Sequence, residues 1–168
     1  MIRAGILTVS DKGSRGERED RSGEVIRKIL EGIGAEVVRY AVVPDEVPGI
    51  QDPMREWADR DGLDLILTTG GTGFSQRDVT PEATSQVLER LTPGISEAIR
   101  AEGRKKTPHA ILSRATSGIR GRTLIVNLPG SPGGVEESLE IVLPALPHGI
   151  EILRGDAQEC GSGTARGD

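Results

Sequence analysis

The sequence predicts a layered α/β domain with a largely parallel sheet. Two observations predict it: aliphatic runs of strand length alternate with segments whose apolar residues recur at helical spacing, and Gly, Pro, Asp or Ser follows most of the runs. At 168 residues the chain is long enough for one hydrophobic core. We therefore expect a single domain over residues 1–155 and a polar, Gly-rich tail over 156–168 that is mobile.

The first half of the chain predicts three strands and two helices. Ser22 is the expected N-cap of the first helix, because a side-chain oxygen there can accept a free helical N–H. Pro48 and Pro53 leave the start of the second helix undefined. In order, these elements are the strand AGILTVS (4–10), a helix over 23–34 with Val25, Ile26, Ile29, Leu30 and Ile33 on one face, the strand AEVVRYAVVP (35–44), a helix through Met54, Trp57 and Ala58, and the strand LDLILTT (63–69).

The second half predicts further helices and another buried strand. Thr80 is the expected cap of a helix whose first position is Pro81, and a break is expected at Pro144. In order, the elements are the helix PEATSQVLERL (81–91), the helix GISEAIRAEGRK (94–105), two extended segments around Gly121, the second of them TLIVNL (123–128), and a broken helix over 133–155.

The amino-acid composition limits the classes of molecule that the protein is expected to bind. A net charge of -5 and a pI near 5.2 argue against a nucleic-acid or membrane surface, because phosphate backbones are bound by clustered Lys and Arg. Aromatic residues make up 2% of the chain, so stacking cannot be the main means of recognition. Cys160 is the single cysteine and the amino terminus does not resemble a signal peptide, so we expect a cytoplasmic protein.

The stretch LILTTGGTGFSQRDVTPEA (65–83) carries the chemistry most clearly. Ligands of open α/β sheets bind beyond the carboxyl ends of the strands, where this stretch leaves the third strand. Gly70, Gly71 and Gly73 permit positive φ and bring backbone N–H groups close to a ligand, while Thr69 and Thr72 add hydroxyl donors. The loop therefore predicts a phosphate site, although tight turns also use such glycines.

Two acids lie at strand ends in this prediction, Asp45 after the second strand and Asp78 after the glycine loop. A carboxylate beside a phosphate is repulsive unless a cation lies between them, and Mg²⁺ commonly takes one or two carboxylates together with phosphate oxygens. The pair therefore predicts a Mg²⁺ site. The alternative is that Asp78 only complements the dipole of the following helix.

Two more strand ends belong to the same predicted edge. Ser10 and Asp11 follow the first strand, and the turn NLPGSP (127–132) follows the last long strand, although an ordinary αβ turn is the alternative for the latter. Ser113 can equally cap a strand end or contact a ligand. His109 and His148 have no neighbouring His or Cys, so a zinc site is not expected.

The motifs LTTGGTGFSQRDVTPEAT, SDKGSRG, VPDE and AILSRATSGIRGRTLIVNLPGSP together resemble the MogA/MoaB family of molybdenum cofactor biosynthesis proteins, over residues 2 to about 153. A related domain occurs in fusion proteins that include gephyrin. The resemblance implies a three-layer α/β/α sandwich and a homotrimer or hexamer. It also implies Mg²⁺-dependent transfer of AMP from ATP to the terminal phosphate of molybdopterin.

The resemblance also assigns roles to residues. Asp45 and Asp78 look like the family's essential acids, with Asp78 linked to the metal, and Ser113 looks like the hydroxyl near bound pterin. The remaining positions look like nucleotide or pterin contacts: Ser10, Asp11, Thr69, Gly70, Gly71, Thr72, Gly73, Asn127, Pro129, Gly130 and Ser131.

One departure from the family pattern concerns charge. Relatives often carry a Lys after the LPG turn, where this chain has Gly133 and Gly134, so Arg114, Arg120 or Arg122 would have to supply that contact. Three functions remain open at this point: an adenylyltransferase, a MoaB-like protein that binds molybdopterin without efficient transfer, and a trimeric scaffold. The two acids and the complete glycine loop favour the transferase.

Overall fold

The computed structural model describes residues 1–156. The predicted mobile tail, apart from Asp156, and Cys160 lie outside the described residues. No helix within residues 1–156 combines the length and the apolar character needed to cross a bilayer.

A six-stranded mixed sheet forms the centre of the fold, with strand order β2-β1-β3-β6-β5-β4. The first four strands in this order are mutually parallel, and β5 and β4 add an antiparallel edge. The mostly parallel sheet predicted from the sequence is therefore confirmed. The strands are β1 (Arg3–Val9), β2 (Glu36–Val43), β3 (Leu65–Thr69), β4 (Arg90–Leu91), β5 (Ser117–Arg120) and β6 (Thr123–Leu128).

Helices cover both faces of the sheet. Successive residues of a buried strand point to opposite faces, so Ile66 packs under one helical layer while its neighbours Leu65 and Leu67 pack under the other. One layer contains α2, α5, α6 and α7, and the opposite layer contains α3 and α4. The helices are α1 (Asp11–Ser14), α2 (Arg21–Gly32), α3 (Val47–Asp59), α4 (Thr80–Val87), α5 (Pro93–Arg104), α6 (Pro132–Val142) and α7 (Leu146–Arg154), with a 3₁₀ segment at Pro108–Leu112.

Both predicted hydroxyl caps are wrong. Asp20, not Ser22, caps α2, because its carboxylate accepts the N–H of Gly23 at 2.9 Å. Thr80 does not cap α4, which has no side-chain cap. Ser22 and Thr80 instead donate their hydroxyls to the carbonyls of Gly130 and Gly70, at 2.6 and 2.9 Å, so both hydroxyls join loops at the carboxyl edge of the sheet.

Other differences from the prediction are local. The segment after β1 begins with the short helix α1, which the sequence did not predict, and Ser10 caps it by accepting the N–H of Gly13 at 3.0 Å. The end of the predicted helix 81–91 is the short strand β4, because residues 90 and 91 pair with β5. Ile33, predicted on the apolar face of α2, lies past its end and is exposed. The break at Pro144 is confirmed, since it lies between α6 and α7.

Candidate active site at the carboxyl edge of the sheet

A cleft of about 700 Å³ lies where β1, β2, β3 and β6 end. It is the first of two clefts at this edge, and its lining combines four segments that are far apart in sequence. Parallel strands place their carboxyl ends together, which is why these segments meet. Of the residues predicted from the sequence, this first cleft contains Ser10, Asp45, Thr69, Gly70, Gly71, Asp78, Gly130 and Ser131.

The glycine loop after β3 requires glycine at two positions. Gly70 and Gly71 have φ of 94° and 69°, in the left-handed region that other residues rarely adopt. A Cβ at Gly70 would lie 2.4 Å from the carbonyl oxygen of Val9. Gly73 does not have a positive φ, so that part of the prediction is wrong; its missing side chain instead leaves room for the Asp78 carboxylate, 2.9 Å from where a Cβ would stand.

Several contacts hold this loop in place while leaving its amides open. Thr69 donates its hydroxyl to the carbonyl of Pro129 at 2.6 Å, and the Arg114 guanidinium donates to the carbonyls of Gly73 and Asp78 at 2.8 and 2.7 Å. Arg114 also pairs with Glu82. Within the described part of the chain, the N–H groups of residues 71–73 donate to no protein acceptor. The loop can therefore offer these amides to an anion.

Asp45 and Asp11 are tied together by reciprocal hydrogen bonds. The N–H of Asp11 donates to the Asp45 carboxylate at 2.9 Å, and the N–H of Asp45 donates to the Asp11 carboxylate at 3.0 Å. Burial raises the pKa of Asp45, and the negative charges of Asp11 and Asp78 contribute in the same direction. The bidentate Arg77 guanidinium lowers the pKa of Asp11. Asp11 therefore positions Asp45 and anchors Arg77 and, with it, the glycine loop.

The two acids suit a divalent cation. Asp45 presents an oxygen 3.1 Å from where a Cβ on Gly71 would stand, and Asp78 does the same at 2.9 Å beside Gly73, so both carboxylates face the glycine loop. Asp78 also accepts the N–H of Ser75 at 3.1 Å. No group of three or more His, Cys, Asp or Glu residues within residues 1–156 could hold a metal. The protein would thus supply two carboxylates and leave the other positions to phosphate and water, as Mg²⁺ prefers.

The turn after β6 closes the cleft on the opposite side. Gly130 lies against Gly70, since a Cβ on Gly130 would stand 3.3 Å from the Gly70 Cα. Ser131 caps α6 by accepting the N–H of Gly134 at 3.1 Å. Asn127 does not line either cleft at this edge, because it is buried and its amide donates to the hydroxyls of Thr68 and Thr84, both at 2.9 Å.

A second cleft of about 690 Å³ lies on the other side of the glycine loop. It contains the predicted residues Thr72, Gly73, Ser113 and Pro129, and Ser131 lines both clefts. Phe74, 71% exposed, provides an aromatic wall, and Lys105 and Lys106 provide positive charge. The glycine loop therefore separates two ligand-sized clefts that meet at Ser131.

The lysines can supply the basic contact that the LPG turn lacks. Arg114 is engaged with the glycine loop, and Arg120 pairs with Asp59 at 2.7 Å, away from both clefts. Lys105 and Lys106 line the second cleft together with Gly134. Their ion pairs with Glu102 and Glu137, at 2.9 and 3.2 Å, are exposed, so water screens them and they hold the lysines weakly. The basic contact thus has candidates that the sequence pattern did not indicate.

Sequence reasoning missed two groups of lining residues. Arg18, Asp20 and Arg21 line the first cleft. Ligands of open α/β sheets bind beyond the carboxyl ends of the strands, and applying this rule to every residue from the end of β1 to the start of α2 would have found all three. The residues that α5 and the 3₁₀ segment bring to the second cleft carry no comparable signal, because only the folded chain brings them there.

Comparison with known proteins defines the class. Residues 5–148 match the model of a probable molybdopterin binding domain. A crystal structure described as the molybdopterin biosynthesis enzyme MoaB of Thermus thermophilus is 57% identical, with a TM-score of 0.89 over 95% of this chain and 100% of that one. The fold is thus that of a molybdopterin-binding domain.

Two curated relatives extend the comparison. The molybdopterin adenylyltransferase of Helicobacter pylori strain J99 is 41% identical over 92% of this chain and 89% of its own length. The molybdenum cofactor synthesis protein cinnamon of Drosophila melanogaster is 45% identical over 92% of this chain, which spans 26% of cinnamon's length. The chain belongs to the MogA/MoaB family of molybdenum cofactor biosynthesis proteins, and the resemblance stated from the sequence is confirmed.

Proposed function

We propose that this protein is a molybdopterin adenylyltransferase, which transfers AMP from ATP to the terminal phosphate of molybdopterin. The observation that carries the proposal is the pair of clefts that meet at Ser131 across the glycine loop, with Asp45 and Asp78 in the first cleft. A transferase needs two adjoining ligand sites, so that the reacting groups of its two substrates meet where the sites join. The name of the Helicobacter pylori relative supports the same reaction.

The first cleft is assigned to ATP and the second to molybdopterin. Free amides of the glycine loop and the two acids with Mg²⁺ suit the phosphates of a nucleotide. The second cleft has the aromatic wall of Phe74 for a planar ring, the hydroxyl of Ser113, and lysines for the terminal phosphate. The terminal phosphate would then point toward Ser131.

This arrangement supports the following reaction. An oxygen of the molybdopterin terminal phosphate attacks the α-phosphorus of ATP, the bond from that phosphorus to the β-phosphate bridging oxygen breaks, and pyrophosphate leaves. The attacking oxygen is already anionic, so no side chain has to remove a proton. The obstacle is the approach of two anions, and fixed N–H donors that stabilise charge remove it most effectively.

Asp45 and Asp78 would hold the metal ion. Bound Mg²⁺ would neutralise phosphate charge as a Lewis acid. Asp11 fixes the orientation of Asp45, and Arg114 fixes the backbone at Asp78, so hydrogen bonds within the chain position both acids. Preorganisation of this kind lowers the cost of assembling the site during turnover.

A second candidate is a MoaB-like protein that binds molybdopterin without efficient transfer. The 57% identity to the Thermus thermophilus MoaB structure favours it. Both candidates share the second cleft and its pterin. They differ in whether a nucleotide bound in the first cleft reacts.

The deciding experiment measures pyrophosphate release from ATP in the presence of Mg²⁺ and molybdopterin, with adenylylated molybdopterin identified by mass. We expect stoichiometric release that depends on both molybdopterin and Mg²⁺. Binding of molybdopterin without pyrophosphate above background would select the MoaB-like binder. Failure to bind molybdopterin would contradict both candidates.

A further inference from the structure

The charges that line the first cleft are unbalanced for a site that takes a triphosphate. Four acids line it, Glu19, Asp20, Asp45 and Asp78. One divalent ion cannot neutralise both these acids and the four negative charges of ATP. Side chains with positive charge must therefore face the part of ATP that the Mg²⁺ site does not reach.

Most cations near the cleft are already engaged. Arg77 makes a bidentate pair with Asp11, at 3.0 and 2.8 Å. Arg114 is occupied by two carbonyls of the glycine loop and by Glu82. Arg15 makes a bidentate pair with Glu17, at 3.1 and 3.0 Å, and does not line the cleft.

Two other arginines differ from these: Arg18, in the loop between α1 and α2, and Arg21, the first residue of α2. Arg18 and Arg21 are the cationic residues that line the first cleft in the described part of the chain. Arg18 makes no hydrogen bond or ion pair with residues 1–156. Arg21 lies 3.8 Å from Glu19, and both of these side chains are more than three-quarters exposed, so the pair holds Arg21 weakly.

We propose that Arg18 and Arg21 bind the β- and γ-phosphates of ATP, the part that leaves as pyrophosphate. The inference rests on the proposed function, because it assigns the first cleft to ATP. Guanidinium groups suit this role, since each can form two parallel hydrogen bonds to phosphate oxygens. They also neutralise the charge that builds on the leaving group as its bond to the α-phosphorus breaks.

The two arginines should affect the binding of ATP but not the binding of AMP. The glycine loop and the two acids serve the α-phosphate, which ATP and AMP share, whereas Arg18 and Arg21 would contact phosphates that AMP lacks. The two arginines thus add affinity for the triphosphate alone. It also draws pyrophosphate away from the junction at Ser131, where molybdopterin approaches.

Calorimetric titration with ATP and with AMP, both with Mg²⁺ and without molybdopterin, tests the assignment. The variants are Arg18→Gln, Arg21→Gln and the double variant, with Arg15→Gln as the matched control on the same loop. We expect the double variant to bind ATP at least about tenfold more weakly, because charge-assisted hydrogen bonds are lost. AMP affinity should be unchanged in every variant, and Arg15→Gln should bind ATP like the wild type.

Three outcomes would overturn the inference. If the double variant bound ATP and AMP more weakly by the same factor, the arginines would support the cleft as a whole. If its affinity for ATP were unchanged, the arginines would not contact ATP. In both cases wild-type ATP binding would leave the proposed function intact. If the wild type bound neither nucleotide, the proposed function would fail, and the inference with it. Thermal melts of each variant should match the wild type, since both side chains are exposed.

Discussion

The carboxylate of Asp78 is held by a backbone group, not by another side chain. Ser75 donates its N–H to the carboxylate, and Arg114 fixes the carbonyl of Asp78 from the other side. We predict that Asp78→Asn lowers pyrophosphate release by roughly 100-fold or more, because the metal loses a charged ligand while the amide keeps the same shape. Steady-state assays at saturating ATP would measure the loss.

The control for that substitution is Asp52→Asn, on the exposed side of α3 and away from both clefts. It should keep wild-type turnover, and both variants should unfold at the wild-type temperature. Normal turnover by Asp78→Asn would show that Asp78 is not a ligand of the metal. It would leave the alternative that Asp78 serves the dipole of α4.

Two glycines with similar backbones allow the glycine loop to be tested. Gly71 and Gly62 have φ of 69° and 62°, but a Cβ on Gly71 would lie 2.3 Å from the Thr80 hydroxyl, whereas one on Gly62 meets nothing within 4 Å. We predict that Gly62→Ala loses about 1 kcal/mol of unfolding free energy, the cost of the left-handed backbone alone. Gly71→Ala should lose more, because the clash adds to that cost.

The same pair separates stability from function. Gly71→Ala should also weaken binding of ATP, since Thr80 must shift and its hydrogen bond to Gly70 holds the loop. Gly62→Ala should leave ATP affinity unchanged. Denaturant unfolding and nucleotide titration on both variants give the two measurements, and equal effects of the two substitutions would contradict the steric argument.

At the scale of elements, the strands were predictable and several side-chain roles were not. Leu65–Thr69 is recognisable as an aliphatic run, and burial in a parallel sheet requires little else. Ser22 and Thr80 match a capping pattern, but their hydroxyls donate to Gly130 and Gly70, which lie outside the local segment. A local pattern contains no information on such carbonyls, and this is why both caps were predicted incorrectly.

The residues of the candidate site likewise divide into those that the sequence predicts and those that it does not. The segments that follow strands were predictable because parallel strands end at one edge, which explains Asp45, Gly70 and Ser131. The side chains of the second cleft were not, since Lys105 and Lys106 follow the end of α5, whose path across the sheet depends on packing. Asn127 lies near the carboxyl end of β6, where a ligand contact is expected, but its side chain is buried in the core.

A partly buried ion pair adds to the apolar packing that holds the carboxyl-terminal helix α7 on the sheet. Arg154 donates to both carboxylate oxygens of Asp64, at 2.8 and 2.5 Å, and to the carbonyl of Met1 at 2.7 Å. Burial raises the pKa of Asp64, but hydrogen bonds from Arg154 and from the N–H of Arg3 outweigh it, so the pKa lies below its usual value. The charged carboxylate therefore stabilises the folded state.

We predict that Arg154→Gln costs about 2 kcal/mol of unfolding free energy at neutral pH, because the largely buried Asp64 carboxylate loses charge-assisted hydrogen bonds. Because the folded-state pKa of Asp64 is lowered, its contribution is present above the unfolded-state pKa and is lost as pH falls through the folded-state value. The difference between variant and wild type should thus shrink in acid. Denaturant unfolding across the pH range would measure it.

The exposed pair between Arg39 and Asp61 provides the control for this prediction. Arg39 is 49% exposed and bonds Asp61 at 2.8 Å, with the same chemistry in a solvated setting. Arg39→Gln should change stability only slightly, because water screens the pair. A large loss there, or a pH-independent loss for Arg154→Gln, would contradict the role given to burial.

At the scale of the whole molecule, family membership predicts an assembly larger than one chain. The described surface is compatible with burial against other copies, since large apolar side chains such as Leu91 and Ile152 are 65% and 56% exposed. Leu91 lines neither cleft and Ile152 lines a separate groove, so association through them would leave the ligand sites open. The clefts themselves form within a single chain.

We predict a trimer or hexamer in solution, so sedimentation equilibrium should give three or six times the 17.8 kDa chain mass. Ile152→Asp should lower that mass, because a charge placed in an apolar contact between copies would be desolvated without a partner. In a monomer the same substitution at an exposed position should have little effect on unfolding, so the mass and the melt together separate assembly from folding. A monomer at micromolar concentration for the wild type would contradict the family expectation, and an unchanged mass for Ile152→Asp would place the interface elsewhere on the surface.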